Sequence, residues 1–363
     1  QYTLVGWYDN EALSGEAVSF PYVMEGSNKT FYAKYVRSDL KYTVNYYLNG
    51  TTTKVAPSKT ESNLSEGATA IESPIDITGY TKVSGASQTI TIGSGTNEIN
   101  FYYYQNVTLT ANSDTKVYNG QEQSVSGYTG APDDAEFSNI TVGATGKDAD
   151  TYQATFPGGT VGKVDATGKY IVSKAINGTL EITKRSITLT SADDEKVYDG
   201  TALTNGTVTV SGDGFAEGEG AAYDVTGSQT DAGESSNTFT YTLNKGTNAD
   251  NYEITKVEGT LEVTPVADEV VVTIKEHDGT AKYDGTEKKA TGYDVKSISN
   301  SLYHESDFRF NGTAEAKGTN AGSYDMEVKP GDFTNISKNF TNVTFVVEDG
   351  KLTIAKRDVT LTS

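Results

Sequence analysis

At 363 residues, with 49 acidic against 29 basic side chains, the chain has a formal charge of −20, which excludes the basic stripe a nucleic-acid partner requires. Hydrophobic residues make up only 35%, too few for one large core, so several small domains in series are expected. There is no cysteine, which excludes thiolate zinc sites and disulfide staples.

The elements read as strands and turns throughout. Thr, Ser, Gly and Asn abound, and there are 24 Tyr against one Trp. β-Branched and aromatic residues suit pleated surfaces, while Gly and Asn supply turns. The expected fold class is all-β with minor α content, as tandem small β-sandwich or β-grasp-like domains in an elongated rod. No apolar run reaches membrane-spanning length.

Residues 1–38 stand apart, with Gly6-Trp7-Tyr8-Asp9, then Phe20-Pro21, then Thr30-Phe31-Tyr32-Ala33-Lys34-Tyr35. Residues 39–105 form a second module. It opens on Tyr42-Thr43-Val44-Asn45-Tyr46-Tyr47, turns at Asn49-Gly50-Thr51, carries Pro57 and Gly79-Tyr80, and closes on Ile99-Asn100-Phe101-Tyr102-Tyr103-Tyr104.

Three related units follow, at 106–185, 186–266 and 267–357, and 358–363 reads as the start of a fourth. Lys116-Val117-Tyr118-Asn119-Gly120 recurs as Lys196-Val197-Tyr198-Asp199-Gly200 and as Lys282-Tyr283-Asp284-Gly285. Each copy follows an alternating strand: Val107–Thr110, Ile187–Thr190 and Val271–Ile274. Each unit ends on a similar strand, at Gly178–Thr183, Gly259–Thr264 and Gly350–Ile354. Between them, Asp148-Ala149-Asp150-Thr151-Tyr152, Asn248-Ala249-Asp250-Asn251-Tyr252 and Asn320-Ala321-Gly322-Ser323-Tyr324 read as a third shared landmark before a strand. The Tyr corner (Tyr118 and Gly120; Tyr198, Asp199 and Gly200; Tyr283, Asp284 and Gly285) is expected to be a structural turn, with positive φ at its glycine and a buried tyrosine. The first seam, Lys184-Arg185-Ser186-Ile187, has no linker and predicts a stiff joint, whereas Pro265-Val266-Ala267-Asp268-Glu269 predicts a bend. The chain starts at Gln1 without a signal peptide, shows no C-terminal sorting signal and reads as an excised fragment.

On these residues, 1–38 resembles the second half of a Listeria–Bacteroides (internalin B-type) repeat, with Tyr35 where that family has Trp. Residues 39–105 look like a mucin-binding-protein (MucBP) domain. The three units resemble the MBG and YDG repeats of bacterial adhesins. The resemblance implies a Gram-positive, extracellular surface or cell-wall protein acting in cell adhesion, and the absence of disulfides in an exported array agrees with a prokaryotic source.

No catalytic constellation is legible, and an enzyme is not expected. His277 and His304 lack partner motifs, and no Gly-x-Ser-x-Gly elbow occurs. Acidic pairs such as Asp133-Asp134 read as solvated. The cofactor expectation is none, with calcium as the one alternative: Asp193, Asp194, Asp213 and Glu217 could supply oxygen ligands, though without EF-hand spacing. Trp7, Tyr8, Tyr46, Tyr47, Tyr102 and Tyr104 are candidates for stacking on sugars, each weighed against ordinary core packing. A host glycoprotein, mucin or other glycan is the expected partner class, with no nucleic acid, no membrane insertion and a monomeric rod. The main expectation is a non-catalytic adhesin or stalk segment; the alternative is a carbohydrate-binding accessory region of a large glycan-degrading enzyme. Intramolecular Lys–Asn isopeptide bonds are a further possibility, without an identifiable trio.

Overall fold

The computed structural model describes residues 1–361; Thr362 and Ser363, the last two residues of the segment expected to begin a fourth repeat, lie outside the described residues. The chain is all-β. Its only described helical segments are three short 3-10 turns at Ala249–Asn251, Glu305–Asp307 and Pro330–Asp332. It divides into two compact units, residues 1–183 and 184–363.

The first unit opens with a two-stranded antiparallel hairpin, Tyr2–Tyr8 on Tyr32–Arg37. The next module is built on Leu40–Leu48, which pairs in parallel with Glu98–Ala111 and antiparallel with Lys54–Leu64. Tyr42, Val44 and Tyr46 alternate onto the same buried face as Ile99, Phe101 and Tyr103. Tyr103 is wholly enclosed; its hydroxyl donates to the Ile75 carbonyl at 2.9 Å, and burial pushes its pKa up to about 12. Among the described residues no helix crosses this sheet, so the helix that a β-grasp-like module would carry is not there.

Glu98–Ala111 is a 14-residue strand that serves two modules. Its first part, through Tyr103, pairs with Leu40–Leu48. Its second part pairs in parallel with Tyr170–Ile176 and antiparallel with Tyr128–Thr129, both in the first repeat. The expected boundary at 105/106 thus falls inside continuous backbone. At about 3.3 Å per residue, the strand carries one rigid ladder for roughly 45 Å.

The second and third repeats each contain two three-stranded sheets; the first contains one, its opening strand lying in the six-stranded sheet shared with the 39–105 module. In one, the opening strand is central, flanked by an antiparallel and a parallel neighbour: Arg185–Ser191 lies between Val208–Gly212 and Tyr252–Val257, and Val270–Glu276 lies between Tyr293–Ile298 and Val343–Glu348. In the other, the closing strand is central. Gly178–Thr183 is flanked by Asp114–Val117 and Thr151–Ala154, Gly259–Thr264 by Asp194–Val197 and Gly233–Asn237, and Lys351–Ala355 by Gly279–Lys282 and Gly322–Asp325. Val272 and Ile274 of one sheet share a core with Leu352 and Ile354 of the other. Burying both inner faces between two sheets is what makes these short strands stable.

The glycine at or just before each closing strand has a steric cause. A Cβ on Gly178 would lie 2.3 Å from the Asn112 carbonyl oxygen, one on Gly259 2.5 Å from that of Ser191, and one on Gly350 2.7 Å from that of Glu276. In all three repeats, the end of the opening strand crosses so closely that no side chain fits.

The third landmark is corrected by the pairing. Tyr152 and Tyr324 lie opposite Leu180 and Leu352 on the closing strands, and each hydroxyl donates to a carbonyl four residues earlier, Asp148 and Asn320, at 3.0 Å. In the second repeat this place belongs to Asp231-Ala232-Gly233 and the strand Gly233–Asn237, where Ser235 faces Leu261. Tyr252 instead begins the parallel neighbour of the opening strand, as Tyr170 does in the first repeat. Its hydroxyl bonds Glu219 at 2.6 Å, and that of Tyr170 bonds Asp134 at 2.6 Å. Tyr170 is pushed up to about 12 chiefly by that hydrogen bond, and Tyr252 to about 12 chiefly by burial.

In the third repeat, the antiparallel pair Phe308–Phe310 with Phe333–Asn335, in the place that Ala221–Val225 with Phe239–Leu243 holds in the second, brings Phe308, Phe310 and Phe333 against Phe345, Tyr293 and Tyr303.

Candidate functional site

The Tyr corners have the expected turn. Gly120, Gly200 and Gly285 have φ of +81°, +80° and +82°, conformations that glycine adopts without strain. Before each, a side-chain oxygen closes the turn. Asn119 accepts from the Gln121 amide at 2.9 Å, Asp199 from Thr201 at 2.9 Å, and Asp284 from Thr286 at 2.9 Å. Lys196 and Lys288 bind the two aspartates at 2.7 and 2.6 Å, and with the threonines they hold both carboxyls well below the usual range. Burial of the tyrosine differs between copies. Tyr118 is buried, Tyr198 is half-buried, and Tyr283 is 39% exposed.

The aromatic candidates separate by strand face. Tyr8 and Tyr46 are buried: Lys34 lies over the Tyr8 ring, and Tyr46 stacks on Phe101 at 6.3 Å. Neither presents a ring to a surface ligand, which corrects their place among the sugar contacts. Tyr47, Tyr102 and Tyr104 lie on the opposite, outward face. Tyr47 and Tyr102 are direct neighbours, with ring centroids 6.2 Å apart, and Tyr102 lines an open groove with Asn49, Gly50, Thr51 and Thr52. One register step away, Asn45 donates to Asn100 at 3.0 Å and accepts from Ser58 at 2.7 Å, and Lys54 donates to Ser58 at 2.7 Å. Two tyrosines beside this amide and hydroxyl ladder are what sequence reasoning missed as a unit. Alternation with the apolar set Ile99, Phe101 and Tyr103 was the available signal. In the N-terminal hairpin, Trp7 shares a shallow apolar groove with Phe20 and Phe31.

The calcium candidates do not converge. Asp213 accepts from the Ser186 amide at 2.9 Å, and Glu217 is exposed on the same loop. Asp193 and Asp194 line a separate groove with Glu195, Thr260 and Glu262. There, Asp193 already accepts from the Thr260 amide at 2.7 Å and Asp194 from Asn205 at 3.1 Å. Among the described residues no group of three or more His, Asp or Glu is placed to hold a metal.

That acidic groove has an energetic consequence. Glu262 pairs directly with Glu195 on one side and Glu234 on the other, so three carboxyls lie in a row on one sheet face. Like charges directly opposite destabilise a sheet by roughly 0.2–1 kcal/mol per pair. Replacing Glu262→Lys is expected to stabilise the second repeat by about 1 kcal/mol in dilute buffer. The gain should shrink in 1 M salt, where screening shortens to about 3 Å. Denaturant melts at both ionic strengths check it, and an unchanged midpoint at low salt contradicts the repulsion.

His277 sits at the end of the opening strand of the third repeat. Its Nε2 is 3.2 Å from Asp294, and its Nδ1 lies 2.9 Å from the Thr291 carbonyl. The Asp294 hydrogen bond, then the Thr291 carbonyl, raise its pKa from the ordinary 6.5. A raised folded-state value means that its stabilisation is complete below the unfolded pKa and is lost as pH rises through the folded one. Proton NMR is expected to show His277 titrating above the ordinary histidine value, and Asp294→Asn is expected to bring it down. No change in that variant would contradict the assignment.

Among the described residues, no lysine is fully buried. Among the described residues, no helix is long and apolar enough to cross a membrane.

No family model matches the chain, and no curated protein matches it. Among solved structures it is similar to the Bacillus anthracis TIE protein, at 10% identity with a TM-score of 0.16, over 88% of this chain and 54% of that one. The chain thus spans about half of that protein, and a likeness this distant carries no argument about function.

Proposed function

We propose that this chain is a non-catalytic segment of an extracellular bacterial surface protein, a stalk of tandem β-repeats that spaces or presents binding modules. The observation that carries the reading is the strand Glu98–Ala111, one ladder shared by the 39–105 module and the first repeat. A shared strand removes the hinge that a flexible linker would provide, as a spacer requires. The sequence resemblance to adhesin repeats and the charge of −20, which keeps exported arrays apart, agree with it.

The test uses the absence of native cysteine. Spin labels at Thr60→Cys and Thr155→Cys, both on exposed positions of the first unit, report the distance across the shared strand. A narrow distance distribution is expected, broadening when Gly-Ser-Gly-Ser is inserted between Gln105 and Asn106. A distribution already broad in the parent chain sinks the spacer reading.

A second reading, carbohydrate binding, is favoured by the outward Tyr47–Tyr102 pair beside the Asn45–Asn100 ladder. Aromatic faces meet sugar rings, and amides meet their hydroxyls. The acidic chain favours neutral over sialylated or sulfated glycans. A glycan array with and without calcium, repeated with Tyr102→Ala, tests it. Binding unaffected by that change, or no binding at all, removes this reading and leaves the spacer role standing.

A further inference from the structure

Within the second unit, the second repeat holds two segments of the third, chiefly the loop at Asn339–Thr341. The Tyr198 ring meets Phe340 edge-on at 5.7 Å, and Gly200 abuts Leu302 so closely that an added Cβ would lie 3.1 Å from it. The Ala232 amide donates to Asn339 Oδ1 at 2.7 Å, and Asn339 Nδ2 donates to Asp231 at 3.1 Å. After the closing strand, Val266 bonds the same loop twice: its amide donates to the Asn339 carbonyl at 2.9 Å, and its carbonyl accepts from Thr341 at 3.1 Å. Three elements therefore make the joint: the Tyr corner, the Asp-Ala turn and the segment after the closing strand.

The third repeat carries the same three elements. Tyr283, Asn320 with Ala321, and Lys356, Arg357 and Val359 together line one largely apolar groove. Strand pairing fixes the correspondence, because Val197 lies beside Thr264 where Lys282 lies beside Ala355, which aligns Tyr198 with Tyr283 and Val266 with Arg357. Here the elements are uncovered. Tyr283 is 39% exposed and Val359 77% exposed, and a Cβ on Gly285 would meet nothing within 4 Å.

We propose that this groove is a docking site for the Asn-Phe loop of a further repeat unit of the third repeat's type, joined in the same chain. The occupant's asparagine accepts from the Ala321 amide and donates to Asn320, and its aromatic ring covers Tyr283. Asn320 in place of Asp231 keeps the acceptor but loses the Asp231–Lys338 ion pair, which is 3.8 Å long and exposed. A second folded molecule cannot supply this loop, since its own Asn339-Phe340 is already held by its second repeat. The inference rests on the joint's geometry and stands whether or not the chain is a surface spacer.

The experiment appends a second copy of residues 267–357 directly after Arg357 and follows amide hydrogen exchange. Ala232, already bonded to Asn339, is the internal reference. Exchange at Ala321 is expected to slow by roughly tenfold or more in the extended chain. It should return to its original rate when Asn339→Ala is placed in the appended copy alone, and Tyr283→Ser should lower the melting midpoint of the appended unit. Unchanged exchange at Ala321 overturns the proposal. So does an appended unit that stays unfolded while residues 1–357 remain intact, because the same unit folds when it follows the second repeat. Protection of Ala321 in the parent chain that grows with concentration would assign the groove to a second molecule, and would overturn it equally.

Discussion

Replacing Glu276→Ala is expected to destabilise the third repeat by about 3 kcal/mol, more than any other exchange of a single polar side chain in that repeat. The Glu276 carboxyl is 1% exposed, and its two oxygens each accept from a backbone amide, Val328 at 2.7 Å and Gly350 at 2.6 Å. Deleting it leaves two buried donors without partners, at roughly 1–3 kcal/mol each. It also opens a cavity beside Ile274 and Leu352, which belong to the core on this side. Glu276→Gln is expected to fall between, since one oxygen remains while the new amide nitrogen faces an N–H donor. Other repeats meet this position differently. Ser191 accepts from the Gly259 amide at 2.9 Å and donates to the Asn237 carbonyl at 2.6 Å, whereas Ala111 has no side-chain acceptor to offer. Because Trp7 lies in the N-terminal hairpin, tryptophan fluorescence does not report on this repeat. Amide exchange at Val272 and Leu352 does. An Ala variant within about 0.5 kcal/mol of the parent would show that water satisfies the two amides.

Much of this architecture was legible in the sequence because strands alternate. The strings around Tyr118, Tyr198 and Tyr283 locate three turns with positive φ, since only the backbone's need for glycine keeps such strings alike. Alternation also separates Tyr46 from Tyr47: the former shares its face with Tyr42 and Val44, and the latter does not. It even places Glu276 on the core side, in step with Val270, Val272 and Ile274, although a carboxyl at a strand end reads as solvated until its two amide partners are known. Pairing was not legible. Asn248–Tyr252 imitates the landmark at Asp148–Tyr152, yet its strand joins the other sheet, because an aromatic at a strand start carries no record of its neighbour. For the same reason, a boundary drawn at 105/106 looked natural where the aromatic run ends, although the backbone ladder continues. The outward Tyr47–Tyr102 pair lies between strands more than fifty positions apart and exists only through their parallel register.

The aromatic cluster of the third repeat was the least visible feature, and Phe333→Ala should have the largest effect of all. Phe333 is 5% exposed and contacts Phe310 at 4.8 Å, Phe345 at 5.3 Å, Tyr293 at 5.3 Å and Phe308 at 5.8 Å between ring centroids. Truncating a buried phenylalanine costs about 3–5 kcal/mol, and each lost aromatic pair adds roughly 0.5–1.5 kcal/mol to what area alone predicts. For a domain of this size, that lowers the melting temperature by on the order of 15 °C or more. Phe333→Leu, which keeps most of the volume, is expected to cost about 1.5 kcal/mol. Calorimetry should therefore show the third repeat's transition moving in steps from parent to Leu to Ala. The second repeat should feel it as well. Phe340 belongs to the same core and is the surface on which Tyr198 rests, so loosening the core removes the support of the neighbouring corner. Faster amide exchange at Ala232 in the Ala variant, below the melting range, would register that loss. If Ala232 keeps its parent rate while the third repeat is already open, the two repeats are held together by the chain alone, and the joint contributes nothing to their stability.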